Sequence, residues 1–461
     1  MATIAAAAAA LATVPAASAA EDVYVTTLNS GVFAFDIAED TGGLTAVQGS
    51  PFPAGNDGFG VTATPDRQHL YVSDYGSNAL SIFDIAANGA LTPAGTTSTP
   101  SPVLSATTPD GRYLYVANDG MPGSVSGFAI NRDSGALSPV PNSPVAATDP
   151  GPFGVAVSPD GAFLYVSNTG NSPSEAGTVS VYAIDDATGA LTEISGSPYT
   201  LEIAPGGIAM TPDGQRVYIA NGESATISAF TRNADSGALT PVTNSPFAAG
   251  NGEPTGLAIT PDGRHIYTAL SSMVTEADNQ VAGFSIDQSS GVLAPVSGSP
   301  YAAGLGPQYL AITGNGNHMY VTNNGSQDMT GYSIDSASGS LTPLADSPFF
   351  VAMNPLGITI PHEPSNKFKF GEVRKLKRKG KARLFLELPS PGMVEIAGKG
   401  VKKRSRDVED AEERFNITAQ SEKKLKLRKR GKVKVKVKAK FTPDGGSRRV
   451  KQKKVRLVRK R

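Results

Sequence analysis

The chain has 461 residues, with 50 Gly, 34 Pro and only 18% charged residues, a composition of tight turns and short strands rather than long helices. It contains no Cys and no Trp, which excludes a disulfide framework, a thiolate metal site, a Cys nucleophile and an indole platform for a quinone. The net charge of zero is a cancellation: residues 1–364 hold no Lys, six Arg and thirty-one acids, net −25, whereas residues 365–461 hold thirty-five cations and ten acids, net +25. The step falls on Pro361-His362-Glu363-Pro364-Ser365, and residues 362–366 read as a linker between two domains.

From the N-terminus, residues 1–20 read as a signal peptide: an alanine-rich apolar run ends in Ala17-Ser18-Ala19, small residues at the spacing of a signal-peptidase site, although no basic residue precedes it. No later stretch is long and apolar enough to span a bilayer, so the expectation is a secreted or envelope-associated protein without a transmembrane segment.

Internal repetition dominates residues 21–361. An aromatic flanked by apolar residues recurs as Tyr24, Tyr71, Tyr115, Tyr165, Tyr218, Tyr267 and Tyr320, at steps of 44 to 53 residues. Six of the seven follow a turn such as Pro109-Asp110-Gly111 or its degenerate form Gly314-Asn315-Gly316, in which Pro presets φ, Asp bonds its own backbone and Gly accepts positive φ. Behind each Tyr comes a second alternating run and then Gly-x-Leu, beginning at Gly42, Gly89, Gly135, Gly189, Gly237, Gly291 and Gly339. Two hairpins per repeat give four antiparallel strands, A to D, and this period is that of a propeller blade. The first repeat starts at strand B, Val23-Tyr24-Val25, and the missing strand A appears at the far end as Leu356-Gly357-Ile358-Thr359-Ile360. The spacing therefore predicts an all-β, seven-bladed propeller closed by its C-terminal strand in a 3+1 blade, with no exposed sheet edge at the seam.

The segments Leu114-Tyr115-Val116-Ala117-Asn118, Leu164-Tyr165-Val166-Ser167-Asn168, Val217-Tyr218-Ile219-Ala220-Asn221 and Met319-Tyr320-Val321-Thr322-Asn323 resemble the YVTN-type repeats of the lactonase group of seven-bladed propellers, which includes 6-phosphogluconolactonases and muconate-lactonising enzymes. The resemblance implies lactone hydrolysis with His and Arg at the starts of the A strands. Here those starts read Gly58-Phe59-Gly60, Gly151-Pro152-Phe153-Gly154, Pro205-Gly206-Gly207, Pro254-Thr255-Gly256 and Gly306-Pro307-Gln308-Tyr309, none with His, Arg or Lys. His69, His265 and His318 fall beside the A-to-B turns as polar strand starts, and His362 falls in the linker. The six arginines also lie on the turn side. No catalytic residue is assigned.

The opposite face, made of the B-to-C and D-to-A connections, has longer loops, notably Thr169–Gly177 and Ser271–Gln280, and carries carboxylates. Asp74, Asp119, Glu175, Glu223, Glu276, Asp278 and Asp328 are expected in B-to-C loops and, with Gln308 and Tyr309, form the candidate ligand-binding set. Asp57, Asp149, Glu202 and Glu253 are expected in D-to-A loops. No cofactor is expected; Ca²⁺ is the alternative, centred on Glu276-Ala277-Asp278-Asn279, and the pattern matches no calcium loop.

Residues 367–461 read as a basic β-sandwich of immunoglobulin size. Lys432-Val433-Lys434-Val435-Lys436-Val437-Lys438-Ala439-Lys440-Phe441 alternates with period two, about six such strands are expected, and Ser405–Glu413 is expected as a mixed-charge loop. This segment resembles the Lys-rich C-terminal modules of secreted bacterial proteins. Its charge suits an anionic envelope polymer; nothing in the pattern fits nucleic acid. The sequence-level reading is a monomeric, exported, non-catalytic propeller presenting an acidic face to a ligand or partner protein. The alternative is a lactonase-type hydrolase of the 6-phosphogluconolactonase kind. A quinone-dependent dehydrogenase is disfavoured by the absent Trp.

Overall fold

The computed structural model describes residues 21–362 except 121–122, 173, 273–278 and 352–353, together with seven strands between residues 369 and 458. The first part is a ring of seven antiparallel sheets, and every described element of it is a strand. The seven innermost strands, A in each blade, are Gly58–Ala63, Pro102–Thr107, Pro152–Val157, Pro205–Met210, Glu253–Ile259, Pro307–Ile312 and Pro355–Thr359. Each packs beside the next, and the last packs beside the first, so the circuit is closed.

The expected seam is present. Glu21–Thr27 pairs antiparallel with Gly31–Ile37 on one side and with Pro355–Thr359 on the other, Val25 opposite Ile358 and Tyr24 opposite Thr359. Five blades add something that the repeat pattern did not announce: a short fifth strand, such as Val145–Ala146 or Phe247–Ala248, pairs with the start of strand C, beyond the end of D.

The two repeat signals turn out to be partners. Each blade tyrosine is fully buried, and its hydroxyl donates to the carbonyl of the Gly-x-Leu glycine in the following blade: Tyr71 to Gly135 at 2.9 Å, Tyr115 to Gly189 at 2.8 Å, Tyr218 to Gly291 at 2.9 Å. Tyr320 completes the circle by donating to Gly42 at 2.6 Å across the seam. The ring is thus held by apolar faces between sheets and by a tyrosine bond repeated at every interface. Tyr218→Phe removes only that bond and is expected to lower stability by about 1 kcal/mol, whereas Tyr218→Ala leaves a cavity and is expected to lower it by about 3–5 kcal/mol. Chemical denaturation of the two variants checks the ordering.

The Pro-Asp-Gly aspartates are spent on their own turns. Asp110 Oδ1 accepts from Thr108 Oγ1 at 2.6 Å and from the Arg112 amide at 3.0 Å, and Asp262 and Asp213 repeat the pattern.

The second part forms two antiparallel sheets. Lys369–Leu376, Lys381–Glu387 and Glu412–Thr418 make one; Arg404–Val408, Gly392–Ala397, Lys432–Pro443 and Arg449–Val458 make the other. Val437, Ala439 and Ile396 are fully buried, which identifies the apolar side of the alternating strands as the inner one. The expectation of a loop over Ser405–Glu413 is corrected: Arg404–Val408 pairs with Gly392–Ile396, and the strand Glu412–Thr418 pairs with Lys381–Glu387. Charged residues disguised these edge and near-edge strands because their hydrogen bonding is backbone-borne and needs no apolar alternation. Among the described residues the count is accordingly seven strands rather than about six.

Candidate functional site

The A strands do not run straight into the ring. In all seven blades the A-to-B ladder skips two residues near the start of strand A: between Gly58 and Val61, Pro102 and Ser105, Pro152 and Val155, Pro205 and Ile208, Pro254 and Leu257, Pro307 and Leu310, and, at the seam, Pro355 and Ile358. The skipped dipeptides, Phe59-Gly60, Val103-Leu104, Phe153-Gly154, Gly206-Gly207, Thr255-Gly256, Gln308-Tyr309 and Leu356-Gly357, are bulges at the end of the channel where the D-to-A connections enter. Bulges re-aim side chains and recur beside functional sites.

Here they bring three aromatic rings from three blades together. Phe59 meets Phe153 edge-on, with centroids 5.6 Å apart and planes at 88°, and meets Tyr309 at 6.3 Å and 70°. All three are half-buried. Desolvation alone pushes the Tyr309 hydroxyl well above the ordinary phenol range, so it is neutral throughout the physiological range. The bulge backbones are pinned from strand B and from neighbouring bulges: Thr26 Oγ1 donates to Phe59 O at 2.8 Å, Ser167 Oγ to Gly206 O at 2.7 Å, and Thr255 Oγ1 to Gln308 O. A rigid aromatic floor at the mouth is the outcome.

The predicted carboxylates surround this floor without converging on it. Asp74 is corrected from loop to strand: it is the last residue of His69–Asp74, 1% exposed, and takes a 2.6 Å bond from Ser81 Oγ. It occupies the place that Asn118, Asn168, Asn221 and Asn323 hold in other blades, where each Asn Nδ2 donates to a Ser or Thr of strand C, as Asn168 does to Ser180 at 2.9 Å. Desolvation raises its pKa, and its role is structural. Asp328 is also corrected, to the first residue of strand C, where it accepts from Asn323 Nδ2 at 2.7 Å and Ser326 Oγ at 3.0 Å. Asp119 is half-buried, and Glu175 and Glu223 are exposed. Glu202 lies in the short strand Tyr199–Ile203, Glu253 opens strand A of its blade, and Asp149 accepts from Thr178 Oγ1 at 2.7 Å. Glu276 and Asp278 lie outside the described residues, as does most of the proposed Ca²⁺ segment. Among the described residues no three His, Asp or Glu side chains are grouped as a metal site.

The turn side holds the cations and histidines. Arg112 bridges Asp110 of its own turn and Asp186 of the next blade; Arg232 reaches Asp160 at 2.6 Å and Tyr165 Oη at 3.1 Å. His69, His265 and His318 are buried first residues of strand B, and each packs under a Gly-x-Leu glycine of the next blade: Gly135, Gly339 and Gly42 respectively. They are wedges between blades, more than the polar strand starts read from sequence. An apolar basin of about 440 Å³ opens at this end, lined in part by Pro212, Pro261, Ile312, Ile360 and His362.

Burial holds His265 and His318 below the ordinary imidazole value. The folded ring therefore binds their protons less readily than the unfolded chain does, so the associated stability is complete above about pH 6.5 and falls as the pH drops below it. Asp22, whose carboxyl is pushed up to about 6 by desolvation, acts oppositely between about pH 6 and its ordinary value of 3.8. Comparing the pH dependence of melting for the native chain and His265→Gln isolates the histidine: the variant is expected to show a shallower loss between pH 6.5 and 5.

Comparison with known proteins follows the fold. The family model described as Lactonase, 7-bladed beta-propeller, matches residues 19–151, 145–252 and 246–355. No curated protein matches the chain. Among solved structures, a putative 6-phosphogluconolactonase from Bacteroides fragilis is similar at 22% identity and a TM-score of 0.62, over 75% of this chain and 99% of that one. The periplasmic gluconolactonase of Pseudomonas aeruginosa is similar at 21% identity and 0.63, over 75% and 99%. A protein from Lactobacillus plantarum is similar at 19% and 0.61, over 74% and 99%. Identities in this range speak for the shared ring.

Proposed function

The chain belongs to the seven-bladed β-propeller lactonase family, and on that premise we propose that it is an exported lactonase-type hydrolase that takes a small, unphosphorylated lactone on the aromatic floor of Phe59, Phe153 and Tyr309. The observation that carries the substrate side is that floor: three rings of three blades, held by bulges, where a ring-shaped ligand stacks. Tyr309, neutral and desolvated, supplies a hydroxyl donor for a lactone carbonyl, and the Gln308 amide is its neighbour on the same bulge. The family favours this hydrolase over the non-catalytic scaffold expected from sequence, and the neighbour described as periplasmic agrees with export.

A second reading, capture of the same ligand without turnover, is favoured by one specific observation: no His, Arg or Lys stands on any bulge. Steady-state turnover of γ-butyrolactone, δ-gluconolactone and 6-phosphogluconolactone by the full chain separates the readings. Hydrolysis of either unphosphorylated lactone, reduced about tenfold or more in kcat/KM by Tyr309→Phe, is the expected result. Binding of these compounds without hydrolysis would give the second reading, and turnover of the phosphorylated compound alone would sink the first.

The basic module is proposed as an immunoglobulin-like sandwich that holds the ring to anionic envelope polymers. Its register places Lys434 opposite Arg456 and Lys436 opposite Lys454, like charges that repel across a ladder and that a polyanion would relieve. Retention of the full chain on cell-wall material should fall steeply with salt.

A further inference from the structure

The mouth is charged with one sign only. Arg67, Arg112, Arg216 and Arg264 follow the A-to-B turns, Arg132 and Arg232 stand at or just past the ends of strand C, and the first Lys of the sequence is Lys367. Every cation of the ring therefore lies on the turn side, as do His69, His265 and His318. The mouth side carries Asp57, Asp119, Asp149, Glu175, Glu223 and Asp328, contributed by five of the seven blades. With no cation among them, their fields add over the mouth, where they draw positive ligands and repel phosphate and carboxylate groups.

What lies at that centre matches the same sign. The faces of Phe59, Phe153 and Tyr309 carry the negative part of the aromatic quadrupole, and a cation over such faces is attracted without any hydrogen-bond partner. The Tyr309 hydroxyl makes no hydrogen bond among the described residues, and a neutral phenol oxygen accepts from an N–H donor as readily as it donates to a carbonyl. Floor and rim are separate features that both select for a positive group, and the hydroxyl between them can accept from its N–H donors.

We infer that the ligand of this mouth is a lactone bearing an ammonium group, with the cation over the rings of Phe59 and Phe153 and beside the Tyr309 hydroxyl, inside the carboxylate rim. This rests on the lactonase reading for the lactone half and on the charge of the mouth for the ammonium half.

Two measurements on the full chain keep the halves apart. Turnover at pH 6 is compared for α-amino-γ-butyrolactone, its neutral N-acetyl derivative and γ-butyrolactone, and calorimetry follows tetramethylammonium chloride. The amino lactone is expected to be preferred by about tenfold in kcat/KM, with a preference that shrinks at high salt. Tetramethylammonium is expected to bind and to compete. Phe59→Leu and Phe153→Leu keep an apolar side chain but lose the quadrupole, and should reduce the amino-to-neutral ratio to within about twofold. Turnover of lactones with no preference for the ammonium compound overturns the inference and leaves the lactonase reading standing. Phe-dependent tetramethylammonium binding with no lactone hydrolysed does the reverse. Absence of both overturns the inference as well, as does a preference that survives both Leu substitutions unchanged.

Discussion

A chain ending at His362 is expected to unfold in one cooperative transition, and a chain ending at Met353 is expected to show none. The nine residues by which they differ carry Pro355–Thr359, the strand that completes the first blade. Leu356 and Ile360 are 8% and 5% exposed, and Ile358 packs against the cluster of Val23, Val25, Met329 and Val351. Burying three such side chains contributes about 5–8 kcal/mol, comparable with the whole net stability of an ordinary domain. The strand also closes polar accounts: Thr322 Oγ1 donates to Leu356 O at 2.7 Å, and Leu28 N donates to Asn354 O at 3.3 Å. Without it, the edge of Glu21–Thr27 is bare and is a template for intermolecular pairing, and Pro307–Ile312 loses its packing neighbour. Thermal melting by circular dichroism, with light scattering recorded in parallel, gives the answer. A cooperative melt within a few degrees of the longer chain would mean that the seam is ornamental. Ile360→Asp is the milder version, expected to cost about 3–5 kcal/mol because it buries a charge without a partner.

The seam was readable because a missing strand at one end and a surplus strand at the other are a sequence-level mismatch with one economical solution. The blade tyrosines and the Gly-x-Leu glycines were equally visible, but as two lists. That Tyr218 serves Gly291, 73 residues on, could not be read from a period, since periodicity gives the spacing of copies and not which copy touches which. The same limit applied to the histidines: at a strand start His265 looks like a polar boundary residue, and only the neighbouring blade over Gly339 reveals it as a wedge. Asp74 was misplaced for a different reason. An aspartate after Val72-Ser73 suggests a loop, yet strand B runs one residue longer, and the Ser81 hydroxyl takes over the task that an asparagine amide performs elsewhere. The aromatic floor was the largest omission. Phe59 and Phe153 were in plain view at the A-strand starts, but a Phe-Gly pair on a strand reads as ordinary alternation; the skipped rungs that turn the rings toward each other belong to the ladder with strand B.

Those skipped rungs explain the second large effect, expected for Gly154→Ala. Successive bulges nest around the mouth, the carbonyl of one lying where a side chain of its neighbour would begin. A Cβ on Gly154 would stand 2.2 Å from Gly206 O and 2.7 Å from Ser167 Oγ. Neither can retreat easily, because Ser167 Oγ donates to Gly206 O at 2.7 Å and accepts from Gly154 N at 2.8 Å, so backbone of two blades and the hydroxyl between them form one knot. The clash is with backbone and not with the end of a flexible side chain, so the blades themselves must part, at about 2–3 kcal/mol. Gly206→Ala is the internal control: its Cβ would lie 3.3 Å from Thr255 O, a contact relieved by a few tenths of an ångström, and the expected loss is under about 1 kcal/mol. The same wedge displaces Phe153, the neighbour of Gly154 on the bulge, so the substitution should weaken ligand binding along with stability, whereas Tyr218→Phe, on an interface between blades, should touch stability alone. Equal losses from the two glycine variants in denaturant titration would mean that the nesting of bulges does not hold the mouth in shape.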